Sequence, residues 1–238
     1  MATAAEFDRA GEQRERRFFF AMAIAVALTV VPAFWVFFRA GFASFSAPWW
    51  AHVHAVTFMG WLGIFVVQSG LALKGNIALH KKLGMLAAGY AAWMVLVGLV
   101  LTPVTLAAGR IPPFFTGPYF LALDWLNIVI FAVLIGFGIR MRKQTDWHRR
   151  LILCATVCVI APAWGRWIVL SGFEMTAWSN IVPLMGYIVV AAIADLIMHG
   201  KVHRAYFWGA GGLLVFGAGT GLLAQIPPFI SLAESIAG

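Results

Sequence analysis

The chain has 238 residues, of which 62% are hydrophobic and 11% charged, with a mean hydropathy of +0.89. Soluble domains carry about a quarter charged residues, so a water-soluble fold is excluded. The formal net charge of +8 is accounted for by orientation in a membrane and attraction to anionic headgroups, with no nucleic-acid partner required.

Apolar windows of about 20 residues, enough to cross a hydrocarbon core of about 30 Å, mark seven spans at 18–38, 50–73, 84–107, 118–140, 149–171, 179–198 and 206–225. The expected fold is an all-α integral membrane protein, a seven-transmembrane-helix bundle forming one domain over residues 1–238. The connections are short, so neighbouring helices should pack antiparallel, and no loop has room for a further domain.

The first span follows Arg14, Arg16 and Arg17 as a secretory signal would. It outruns the usual apolar region of about 7–15 residues and reads as a retained helix. On span two, His54, Trp61 and Gln68 recur every seven residues, so one face carries a polar and aromatic stripe that would suit a proton or electron route. His52 points to a different side from His54 and belongs with Trp49 and Trp50 at the interface. His80-Lys81-Lys82 precedes span three, and span four carries Asp124 with Asn127 one turn deeper.

The stretch "DWHRRLILC", residues 146–154, opens span five, with Asp146 at the expected N-cap and His148 beside Arg149 and Arg150. Cys154 and Cys158 lie one turn apart and read as small packing residues, not a disulfide framework. Arg166 stands near the far end of that span. Asp195 and His199 close span six, and His203-Arg204 precedes span seven, which holds Gly209, Gly211, Gly212, Gly217, Gly219 and Gly221. Such glycines permit close helix contact. Pro32, Pro103, Pro162 and Pro183 interrupt spans one, three, five and six and predict kinks around a cavity. The segment after Pro227-Pro228 should be short, mildly amphipathic and interfacial.

Fourteen of the 17 Lys and Arg residues (Arg9, Arg14, Arg16, Arg17, Lys74, Lys81, Lys82, Arg140, Arg142, Lys143, Arg149, Arg150, Lys201 and Arg204) fall on one side. Arg39 and Arg110 fall on the other. This asymmetry predicts a cytoplasmic N-terminus and an outside C-terminus. Trp49, Trp50, Tyr119, Trp167 and Trp178 then form an outer aromatic belt.

Two polar constellations result. On the inner side, His80, His148 and His203 stand at the starts of three helices, with His199 and Asp195 nearby. Basic residues at helix N-termini oppose the macrodipole by about 0.3–1 kcal/mol each, while anionic lipid returns about 1 kcal/mol per basic residue. Orientation therefore justifies the arginines and lysines but not the imidazoles. His80, His148, His199, His203 and Asp195 form a candidate metal set, and the three helix starts also suit a phosphate, a carboxylate or a haem propionate. On the outer side, His54, Asp124 and Arg166 share a depth of about 8–9 Å, from a rise of 1.5 Å per residue. Asp124 and Arg166 make the expected ion pair. With Gln68 they form a candidate cofactor-binding set, read either as a triad tying spans two, four and five together or as a pocket for a small redox molecule, a quinone-like headgroup or a metal.

Span seven has no lysine for a retinal Schiff base. His199 and His203 resemble the His-x3-His of seven-helix zinc hydrolases of the progestin-receptor and alkaline-ceramidase type, but their acidic partner on span three has no counterpart. Transmembrane b-type cytochromes pair histidines within facing spans, where only His54 lies here. The motifs "LHKKLG", "TDWHRRLIL…APAWGR" and "DLIMHGKVHRAYFWG" resemble those of an uncharacterised family of bacterial seven-helix predicted inner-membrane proteins. The resemblance covers spans two to seven and implies an inner (plasma) membrane location, with no activity attached.

The expected function is binding of haem b or a transition metal (Zn, Fe or Cu) through histidines, in an electron-transfer or accessory role. A zinc-dependent lipid hydrolase using the inner cluster is one alternative, and a non-catalytic accessory subunit packed against other membrane subunits is another. The expected partners are membrane lipids, with anionic headgroups on the cytoplasmic side.

Overall fold

The structure, a computed structural model, describes residues 4–238; the side chain of Arg9, one of the basic set, lies outside the described residues. Among them every regular element is a helix. The order is α1 (Ala4–Arg39), α2 (Trp49–Leu73), α3 (Ile77–Ala107), α4 (Gly117–Arg140), α5 (Thr145–Val159), α6 (Ala161–Leu170), α7 (Ala177–His199), α8 (Ala205–Leu223) and α9 (Pro227–Ala237). Six helices are long and apolar enough to cross a membrane, and α5 with α6, bent by 41° at their break, brings the count to seven if the pair is one span. Large apolar side chains stand exposed along the long helices, among them Leu28, Val56, Val100, Val129, Ile197 and Leu214. A soluble monomer rarely leaves so much apolar surface bare. This is a multi-pass, all-helical membrane protein.

The helices α1 and α3 begin well before their apolar runs. The α3 N-terminus is set by Asn76, whose side chain accepts the Leu79 N–H at 3.2 Å, so His80, Lys81 and Lys82 lie in its first turns. The segment of α1 ahead of Phe18 is docked by polar contacts: Gln13 Nε2 and Arg16 Nη1 donate to the carbonyls of Leu73 and Ala72 at 3.5 and 3.3 Å.

The run 149–171, read from the sequence as one span, is broken at Ile160. Pro162 has no N–H to give the Cys158 carbonyl four residues back, and Asn127 Nδ2 on α4 donates to that oxygen at 2.9 Å. The same device serves Pro103, where Trp125 Nε1 of α4 donates to the Leu99 carbonyl at 3.1 Å. Because α4 supplies both donors, it can pack against two proline-interrupted helices without leaving a bare backbone carbonyl in an apolar interior. Around Pro32, Pro103 and Pro183 the helices continue; only Pro162 marks a break.

The bundle centre is lined by α4, α5 and α8. Gly209 brings α8 against α5 so closely that a Cβ there would lie 2.5 Å from Cys154 Sγ, and Gly217 admits the Ile181 side chain of α7. Gly211 and Gly221 face open space. Cys154 and Cys158 are buried free thiols, in keeping with a packing role. The helix α9 folds back on the ends of α3 and α4, setting Phe229 edge-on to Trp125 at 6.2 Å and burying Ala233.

Candidate functional site

The helices place the starts of α1, α3, α5 and α8 and the ends of α2, α4 and α7 at one end of the bundle. This basic end holds two separate polar groups.

The first is centred on Arg150, in the second turn of α5 and 2% exposed. Its Nε and Nη2 donate to Asp195 of α7 at 2.8 and 2.6 Å, a bidentate pair. Nη2 also donates to Glu15 of α1 at 2.7 Å, and Nη1 to the Asp146 carbonyl at 3.0 Å. Arg149 pairs with Glu15 at 2.9 Å and with Asp146. Asp195 accepts in addition the His203 N–H at 3.2 Å, and His203 Nδ1 accepts the Ala205 N–H at 3.2 Å, which caps α8. His199 Nε2 lies 3.3 Å from Glu15. Burial pushes the His203 imidazole below its ordinary value, with Arg150 acting in the same direction and Asp195 and Asp146 against it. Four helices are thus tied by a buried, hydrogen-bonded ion network.

Glu15, Asp195 and His199 offer ligand atoms within 4.8 Å of one another. The two carboxylates, however, already share Arg150 Nη2. A metal ion there would have to displace a buried guanidinium that is their charge partner, so this trio fits a structural lock better than a metal centre. The same geometry weighs against the zinc-hydrolase arrangement: α7 ends at His199, Gly200 adopts φ 68°, and His203 lies outside the helix, so the two imidazoles do not share a helical face.

The second group joins α2, α3 and α5. His148 Nδ1 lies 2.8 Å from the Gly138 carbonyl. A carbonyl only accepts, so Nδ1 carries the proton and a neutral ring leaves Nε2 free as an acceptor or ligand. The His80 ring stands edge-on to it, with centres 6.3 Å apart and planes at 82°. Gln68 reaches His80 from α2, its side-chain amide lying 2.6 Å from Nδ1, a nitrogen that also lies 3.3 Å from the Gln68 backbone carbonyl.

Several expectations are corrected by this geometry. The four inner histidines divide, His80 with His148 and His199 with Glu15, while His203 serves as a cap set edge-on to Trp147. Asp146 is not the N-cap: Gln144 occupies that position, and Asp146 sits in the first turn facing Arg149. Gln68 belongs to the basic end beside His80. Trp61 is buried and donates to Thr156 at 3.3 Å, so the stripe on α2 is divided between two tasks.

At the opposite end, Asp124 and Arg166 are not within 4.0 Å of each other. Thr102 donates to Asp124 at 3.3 Å, while Arg166 Nη1 donates to the Pro162 carbonyl at 2.8 Å. The Arg166 guanidinium lies 3.8 Å above the Phe34 ring centre, and His54 stacks on Phe58 at 4.3 Å. The expected triad is replaced by cation–π and backbone contacts, Arg166 reaching a carbonyl one turn back in its own helix.

Glu15 is the principal residue that the sequence reading misses. It precedes the first apolar run, and the available signal was an acidic residue among Arg14, Arg16 and Arg17. A search of family models, curated proteins and solved structures gives no match to the chain.

Proposed function

We propose that the chain is a bacterial inner-membrane protein, with its N-terminus and basic end in the cytoplasm, that binds a transition metal or haem through His80 and His148 in an electron-transfer or accessory role. The observation that carries this reading is the edge-on pair of imidazoles from two different helices. The His148 ring is held by Nδ1–H···O=C, the arrangement that orients a metal-binding histidine and frees its other nitrogen. Metal–nitrogen bonds are about 2.0–2.1 Å, and two of them plus the radii of two five-membered rings span a separation of this order. His199 and His203 are assigned with Arg149 and Arg150 to the structural network, and the exposed basic residues of this end, such as Lys81, Lys82, Arg142 and Lys143, to anionic headgroups.

The test is elemental analysis and an absorption spectrum of the purified protein. Metal near one equivalent, or a Soret band, is expected in the wild type and in His199→Ala, and its loss in His148→Ala. Wild-type protein with neither metal nor haem overturns the reading.

A further inference from the structure

A second site opens near the other end of the bundle. The break at Ile160 and the turn at Pro162 leave a cavity of about 50 Å³ between α1, α2 and the α5–α6 junction. Its walls include Phe34, Phe58, Trp61, Val159 and Ala163, and the one ionisable side chain lining it is His54. His54 is exposed on the outside of the bundle, about 7.5 Å along α2 from Trp49 at 1.5 Å per residue. The mouth therefore opens sideways toward acyl chains, not into water.

The unpartnered polar group here is His54, which makes no hydrogen bond among the described residues; Trp61 and Thr156, also in the lining, bond to each other. Unpaired donors at membrane depth are costly and are satisfied by a partner where one exists. The complementary ligand carries acceptor oxygens on a flat apolar body. An anion is disfavoured, because a mouth facing acyl chains cannot solvate its charge and the lining offers no fixed positive charge. The volume sets the pose: a cavity of about 150 Å³ takes up a whole benzene, so about 50 Å³ admits the leading edge of a ring. The remainder, and any tail, lies in the mouth beside His54.

We infer that this lateral cleft binds the headgroup of a membrane-soluble quinone, a neutral ring with a carbonyl oxygen that accepts from His54 while its faces meet Phe34 and Phe58. The inference is independent of the metal or haem reading, which concerns the other end of the bundle.

The experiment titrates a short-chain benzoquinone against the full-length protein in lipid nanodiscs, reading binding by calorimetry and thermal shift. Saturable one-to-one binding is expected, weakened at least tenfold in His54→Leu and abolished in Ala55→Phe, which adds bulk at an exposed position of the lining. His80→Ala should bind as the wild type does. Unsaturable partition, equal in all variants, overturns the proposal. So does equal competition by a straight-chain alcohol of matching length, which would make the cleft an acyl-chain groove. Should His54→Leu fail to stay monodisperse, Ala55→Phe decides alone.

Discussion

At the scale of single residues the molecule turns on Arg150. Its guanidinium neutralises two carboxylates from helices 45 and 135 residues away in sequence, and removing one partner of a buried pair costs about 3–5 kcal/mol because the other charges are left bare. Arg150→Ala should therefore lower the melting temperature in detergent by roughly 10 °C or more, at about 2–4 °C per kcal/mol for a chain of this size. Arg150→Lys should recover only part, since an ammonium cannot reproduce the bidentate fork. His203 adds a pH dependence whose sign follows from its environment. Its folded-state value is depressed, so the neutral ring is favoured; the associated stability is present above the unfolded value of about 6.5 and is lost as the pH falls below it. Protonating Nδ1 also removes the cap on Ala205. Melting curves between pH 7.5 and about 5 should drop in the wild type and flatten in His203→Asn, whose side-chain oxygen keeps the cap; parallel curves would refute this.

At the scale of elements, the break between α5 and α6 was hidden in the sequence. The run 149–171 is apolar throughout, and a proline inside it predicts a kink without saying whether the chain bends or breaks. What decides is a partner on another helix, Asn127, which stabilises the carbonyl that Pro162 cannot bond. Asn127→Leu should cost about 1–3 kcal/mol, the penalty of an unsatisfied buried acceptor. In a Pro162→Ala background the same change should cost much less, because the alanine N–H can reach Cys158. A double-mutant cycle measures the coupling, and additive costs would contradict the assignment. Gly209→Ala should destabilise by about 1–3 kcal/mol through overpacking against Cys154, and Cys154→Ala should relieve part of that loss.

At the scale of the whole molecule, hydropathy sufficed to place six of the seven apolar runs as unbroken helices long enough to cross a membrane, because such a helix is specified by length and apolarity alone. Pairing of polar side chains was not legible in the same way. Equal depth put Asp124 and Arg166 together, yet depth fixes one coordinate and leaves the rotation of each helix free. Inner histidines shared an end of the bundle for the same reason, and only the packing of α3 and α5 against α4 brings His80 beside His148. The proposed orientation is checked with single cysteines. Ser46→Cys should react with a membrane-impermeant maleimide from the periplasmic side of intact spheroplasts, and Lys143→Cys only after permeabilisation; the reverse pattern would invert the topology.

The ion network also has a temporal consequence. Glu15 leaves the ribosome first, Arg149 and Arg150 follow more than a hundred residues later, and Asp195 comes last. A nascent chain halted before α7 carries Arg149 and Arg150 with Glu15 and Asp146 as counter-ions but without Asp195, so Arg150 lacks its bidentate partner. Completion of the seventh segment is thus the event that seals the assembly, and chains stalled earlier offer quality-control proteases an unlatched target.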